Sequence, residues 1–323
     1  MKLKLLLQFL LLAFILQGCM YSGTETITNN NITPELRETI HIKNDSLLDA
    51  LSNSNMKSFK ALGSPDFVKH LQSRINNIVW AYRKGYLKTE YTVYNEYYNK
   101  HSKAPNNSKI ESEEGEFTFI YGNNSKETYV SLLKTSYAGI ADYLITVIYE
   151  LIDNQWKLNY VHIDPLGQYN KNAQQYFEIA KKKEKEGYII DAYINCDIAE
   201  NCLTPAGEML KYDNEDKILF YHKTWREQIN NEYPFPQHLK AISSSPTVMK
   251  FEPVKNREGM FPLFTYDTQI PITDTVLLKM EFEEVKREIR QLYKGLDFNK
   301  KYIYYRVYHE DNNRDYHEFK EVK

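Results

Sequence analysis

The stretch that decides the fold is IADYLITVIYELIDNQWKLNYVHI, residues 140–163. Ile140–Ile152 predicts one strand, Asp153-Asn154 a two-residue turn, and Gln155–Ile163 a second strand. Asn and Asp tolerate the positive φ that a tight hairpin turn demands. With those two residues as the loop, Leu151 faces Trp156, Tyr149 faces Leu158, Val147 faces Tyr160 and Ile145 faces His162. Every member of that face except His162 is apolar or aromatic. The opposite face carries Thr146, Glu150, Lys157 and Asn159, with Glu150 across from Lys157. A period of two that persists through the turn marks a hairpin with one buried face.

Upstream, the pattern changes from helix to strand. Asn44-Asp45-Ser46 is suited to cap a short helix bearing Leu47, Leu48 and Leu51, and Met56, Phe59 and Leu62 mark a second one. In the third, Ser64 fits the N-cap, Pro65 the first helical position, and Asp66 the positive end of the dipole. Phe67, Val68, Leu71, Ile75, Ile78, Val79 and Tyr82 then recur at helical spacing, and Gly85 fits the position just past the end. Beyond Gly85, Tyr91, Val93 and Tyr97 alternate with Thr92, Tyr94 and Tyr98 as a strand. Residues 100–115 are polar and read as a loop. Phe117, Phe119 and Tyr121 form the next strand, and Glu127–Lys134 another after a Gly122-Asn123-Asn124 turn. Helices followed by an antiparallel meander give an α+β domain over residues 44–165, with the 65–84 helix expected to fill the sheet's buried face.

The second half reads as two further parts. Helical signals from Tyr176 through Ala199 make a hairpin whose small and aromatic residues sit close to the offsets of one tetratricopeptide repeat. Another helix is expected from Asn214, carrying Ile218, Leu219, Trp225 and Ile229, so that 166–235 forms a helical region. Strands at Thr247–Val254 and Met260–Gln269, a helix from Thr275 to Lys294 capped by Asp274, and a closing hairpin of Tyr302–His309 and Tyr316–Val322 make a small α+β domain over 236–323.

The N-terminus carries its own instruction. Lys2 and Lys4 precede an apolar run, Leu5–Leu16, of signal-peptide length, which ends in Leu16-Gln17-Gly18-Cys19. This resembles the bacterial lipobox, in which residues 1–18 would be removed and Cys19 lipidated. The resemblance implies an extracytoplasmic protein of the cell envelope, held by its acyl chains in the bilayer. Met20 in place of an inner-membrane retention Asp points to the outer membrane, facing the periplasm. Residues 19–43, rich in Thr, Asn and Glu, read as a flexible tether.

The helix-then-curved-sheet order and the closing Trp156-Lys157-Leu158 strand resemble the cone fold of the SnoaL-like and ketosteroid-isomerase-like proteins. The resemblance implies a pocket between helix and sheet, and no particular activity, since that fold hosts enzymes and binding modules alike. In such a pocket His162, with Tyr160 or Tyr143 as a neighbouring donor, is the candidate acid/base group. Against this stands a half-buried histidine at a sheet edge, with Asp164 serving the turn before Pro165.

Other candidate sites are weaker. Cys196 and Cys202 are six apart, too far to bridge within one helix, so a disulfide requires the helix to end before Cys202, which Thr204-Pro205 allows. His309, Asp311, Asp315 and His317 lie around a polar hairpin tip without a ligand spacing, and no metal site is expected. No phosphate loop, nucleophile elbow or zinc-protease motif occurs, and no cofactor is expected. Without Lys2 and Lys4 the chain has 39 basic against 43 acidic side chains, which argues against nucleic acid as a partner. The 27 tyrosines suit half-exposed sheets and contact surfaces. The expected function is therefore a non-catalytic binding or envelope-assembly role, with an unknown envelope protein or small ligand as partner. The alternative is an isomerase-like or hydrolase-like enzyme working at His162.

Overall fold

The computed structural model describes residues 24–71, 78, 85, 90–104, 106–293 and 300–323. The expected signal segment, Cys19 and most of the 72–84 helical stretch lie outside the described residues. The chain is α+β, built on a curled six-stranded antiparallel sheet that forms a half-barrel.

The first unit comprises the chain up to Ser136 together with Tyr143–Asp164 and Thr204–Asp213. It begins with β1 (Thr24–Thr28) and α1 (Pro34–Ser52), so the described part of the expected tether is structured. β1 pairs antiparallel with β2 (Thr92–His101), Thr24 opposite His101 and Thr28 opposite Tyr97. Pro34 at the first helical position and Glu35 in the first turn start α1 as dipole and proline geometry favour. Asn44, expected to cap a shorter helix, is instead buried in the middle of α1. α2 (Met56–Leu62) and α3 (Pro65–Lys69) follow, the latter capped as expected by Ser64, whose hydroxyl accepts the Phe67 N–H. Gly85 has φ +72°, a backbone conformation that glycine adopts readily.

β3 (Asn106–Glu111) and β4 (Phe117–Asn123) come next, then β5 (Glu127–Tyr137), β6 (Ala141–Ile152) and β7 (Gln155–Gln168). The organising hairpin is present: β6 and β7 are neighbours, and Asp153 and Asn154 have φ of 48° and 60°, as a two-residue turn of this hand requires. β8 (Lys171–Asn172) completes the sheet order β1-β2-β5-β6-β7-β8.

Two expectations fail here. Part of the polar 100–115 stretch is a strand, and β4 is absent from the meander. β3 and β4 instead form a separate three-stranded sheet, with the short strand β10 (Leu210–Tyr212) as its third member. Side chains of this second sheet bond to one face of the first. Consequently β6 is buried on both faces, including Thr146 and Glu150, which the hairpin pattern had put in solvent. Glu150 does not rely on Lys157: its Oε1 accepts the Asn124 N–H at 2.8 Å and the Asn159 amide at 2.9 Å.

The second unit comprises Tyr137–Asp142, Pro165–Leu203 and Asn214–Lys323, so the two parts expected at 166–235 and 236–323 belong together. α4 (Ala173–Lys185) opens with a capping box of Asn172 and Gln175. It turns at Gly187 (φ +81°) into α5 (Ile189–Glu200), giving the expected helical hairpin. β9 (Pro205–Glu208) and β10 (Leu210–Tyr212) interrupt the helical region and return to the first unit. α6 (Glu215–Glu232) then leads to a five-stranded sheet of β11 (Gln237–His238), β12 (Thr247–Asn256), β13 (Gly259–Thr268), β14 (Tyr302–His309) and β15 (Asn312–Val322). β13 and β14 run parallel, which requires a crossover between them. α7 (Thr275–Leu292), capped by Asp274 as expected, occupies that connection and stacks Phe282 against Phe319 at 4.4 Å.

Candidate functional site

The face of the first sheet that α1 covers is where a cone fold would hold its pocket. Two kinds of group meet there. Aromatic side chains fill the middle: Trp156 packs edge-on to Tyr98 and Tyr129, with centroids 6.2 and 6.3 Å away, and Tyr149 is fully buried. Polar side chains then tie α1 to the strands. Asn44 donates to the Ser131 hydroxyl at 3.2 Å and accepts the Tyr149 hydroxyl at 3.1 Å. Most of the 65–84 segment expected to cover this face lies outside the described residues.

One polar cluster centres on Glu96, a nearly fully buried carboxylate on β2. Its Oε1 accepts Arg37 Nε at 2.5 Å, and its Oε2 lies 2.9 Å from His41 Nε2 and 2.7 Å from the Tyr129 hydroxyl that donates to it. Arg37 and His41 are one helical turn apart on α1, so a single face of that helix delivers both. Burial, then the Glu96 hydrogen bond and charge, push the Tyr129 hydroxyl far above the usual phenol range. Chemically, a carboxylate holding an imidazole is an acid/base arrangement. Here both oxygens are committed to donors within the chain, and the cluster acts as a clamp between α1 and the sheet.

Sequence reasoning missed this cluster because it read residues 19–43 as a tether. Two signals were available: a lone glutamate inside the tyrosine-rich strand 91–98, and Arg37 and His41 spaced four apart after Thr33-Pro34-Glu35.

The residues singled out from sequence are not gathered into one site. His162 lies on β7 with its Nε2 2.5 Å from Asp164 Oδ2, and its ring stacks on Tyr160 with centroids 6.0 Å apart. Burial along β7 falls on Trp156 and Leu158 and then on Val161 and Ile163, so Tyr160, His162 and Asp164 are only half-buried. Gly207, at φ +61°, lies alongside the imidazole, where an added Cβ would sit 3.7 Å from Nε2. Tyr143, by contrast, is buried on β6. His162 is thus half-buried between the buried Val161 and Ile163, with its ring held by Asp164.

Cys196 and Cys202, the pair considered for a disulfide, are both buried free thiols here. α5 does end at Glu200, before Cys202, but the Cys196 thiol is spent on the Ile218 carbonyl, 3.5 Å away. Burial foremost, with acidic neighbours Asp197 and Glu200, pushes the Cys196 thiol up to about 12. Burial foremost also pushes Cys202 up to about 12. Burial of this kind disfavours the thiolate of both.

At the tip of the closing hairpin, Asp311 is exposed and 4.0 Å from His309 Nδ1. Among the described residues no three His, Cys, Asp or Glu side chains are placed to share a metal ion, and no helix is long and apolar enough to cross a membrane. No protein-family description, curated protein or solved structure matches the chain.

Proposed function

We propose that this is a lipid-anchored protein of the bacterial cell envelope whose curled-sheet unit serves as a binding or assembly module without chemistry of its own. One observation carries the non-catalytic part: the face that would hold a cone pocket is occupied by Tyr98, Tyr129, Tyr149 and Trp156, and its polar groups are bonded to α1. A filled interior leaves recognition to the outer surfaces. The anchoring part rests on the Leu16–Cys19 box after a short apolar run.

The test is made in cells with two variants. Cys19→Ala is expected to abolish acyl labelling and shift the protein out of the membrane fraction. His162→Gln is expected to keep both the membrane location and the biological phenotype. Normal labelling of the first variant would overturn the anchor. Loss of phenotype in the second, at unchanged folding and abundance, would return the enzyme alternative.

A further inference from the structure

The second unit ends in an open sheet edge. β15 is the last strand in the five-stranded order, and among the described residues nothing pairs with its outer side. It runs from Asn312 to Val322 without a proline, and its register with β14 shifts only beside the turn, at Tyr308/His309. Short length, proline and internal bulges are usual ways to blunt an edge, and β15 uses none of them.

Beside this edge the surface is apolar. A groove of about 560 Å³ runs between α7 and β15, lined by Val276 and Met280 from the helix and His317 and Phe319 from the strand, with Lys279 and Glu283. Val276 is 69% and Met280 64% exposed, and they sit one turn apart on the same helix face. A helix face that packs on nothing is normally polar. α7 lies over the last two strands: the Phe282 ring is 5.0 Å from Tyr305 on β14 and 4.4 Å from Phe319 on β15. Its outward face therefore borders the open edge.

We propose that a second copy of this chain pairs with β15, antiparallel and about a two-fold axis, so that the two sheets join and the two grooves close on each other. The charges along the strand favour this occupant. In a two-fold antiparallel pair, opposed residues share a face, so the axis passes through one residue that lies opposite its own copy. With the axis at Phe319, Glu318 meets Lys320, His317 meets Glu321 and Tyr316 meets Val322, and no like charges are opposed. An axis at Glu318 sets two glutamates together and Asp315 against Glu321, and one at His317 sets Arg314 against Lys320. An axis at Tyr316 places Phe319 opposite the polar Asn313.

The spacing of the helices agrees. Strands lie about 4.8 Å apart, so two helices that each cover the last two strands of their own sheet come about 10 Å apart across the axis. Packed helices lie about 8–10 Å apart, and Val276 and Met280 are the side chains that fill the gap. Because Phe282 stacks on Phe319, the axis passes close to residue 281 of α7, and Lys279 of one copy comes towards Glu283 of the other. This inference goes beyond the anchored binding module and does not rest on it: failure of Cys19 labelling leaves the pairing of β15 as it stands.

The experiment measures the mass of the full, detergent-solubilised chain by light scattering during gel filtration, at increasing loading. A rise from one to two chains per particle is expected. The Val276→Glu/Met280→Glu double variant changes only exposed side chains and should raise the dissociation constant at least tenfold with no fall in melting temperature. It occupies the same micelles, so it also separates pairing from shared detergent. Cysteines read the register. Glu318→Cys mixed with Lys320→Cys should cross-link under a copper–phenanthroline oxidant several times faster than either variant alone, because only the mixed pair is directly opposed. A monomer at every loading would overturn the proposal and leave the edge to a different polypeptide. Association unchanged in Val276→Glu/Met280→Glu, or cross-linking no faster in the mixture than in the single variants, would overturn it as well.

Discussion

Replacing Glu96 with alanine tests whether the cluster on β2 is a structural clamp. The carboxylate has three partners in very different settings. Arg37 and His41 are 30% and 27% exposed in their side chains, so both can turn to water once Glu96 is gone. Contacts to such groups are worth at most about 1 kcal/mol each. Tyr129 is 0% exposed and has no such escape, so its hydroxyl is left stranded at a cost of about 1–3 kcal/mol. Together the loss should be about 2–4 kcal/mol, a large part of the ~5–15 kcal/mol that holds a typical domain. Urea denaturation followed by far-UV circular dichroism measures it. The informative comparison is the double variant. Glu96→Ala/Tyr129→Phe removes both ends of the stranded contact and should recover about 1–2 kcal/mol relative to Glu96→Ala alone. Simple additivity of the two losses, or a loss below about 1 kcal/mol for Glu96→Ala, would refute the clamp.

Two further outcomes follow from the same unit. Trp156→Ala should cost about 3–5 kcal/mol, because it empties a site between Tyr98 and Tyr129. A loss below about 1 kcal/mol in urea denaturation would mean that the aromatic interior is not a packed core. His101 is buried between the two sheets of the first unit, its ring nitrogens bonded to Thr24, Thr128 and Ser108, and burial lowers its pKa from the usual 6.5. Its contribution to stability is therefore complete above about pH 6.5 and declines as the pH falls from there through its lower folded-state value. In His101→Gln the part of the acid-side slope just below pH 6.5 should flatten. An unchanged slope in melting temperature against pH would show that burial does not lower the pKa of this ring.

What the sequence made legible was local. Asp153-Asn154 carried the hairpin because positive φ is written in residue type. Ser64-Pro65 and Asp274 carried helix starts for the same reason: their oxygens and ring geometry act within one turn. What it concealed was tertiary. Glu150 and Thr146 look like a solvent face until a second sheet covers them, and nothing within the hairpin announces that cover. The Glu96 clamp joins residues 55 and 59 positions apart, so neither helix nor strand pattern shows it. The candidate site suffered most from this. His162 was conspicuous as the odd member of an apolar face, whereas Glu96 gains its meaning only once Arg37, His41 and Tyr129 are seen to converge on it.

The pairing of β1 with β2 has a mechanical consequence for an anchored protein. β1 begins at Thr24, five residue steps beyond Cys19, and forms the outer edge of the six-stranded sheet. Five extended residues reach at most about 18 Å, whereas a leash running to Lys43 would have reached roughly 80 Å. Under the proposed acylation, the edge of the first sheet is confined to a shell about as deep as the lipid headgroups and their nearest water. The anchor would then act less as a leash than as a hinge pin. Pulling on the lipid would load the β1–β2 ladder directly, five residue pairs in shear from Thr24–His101 to Thr28–Tyr97.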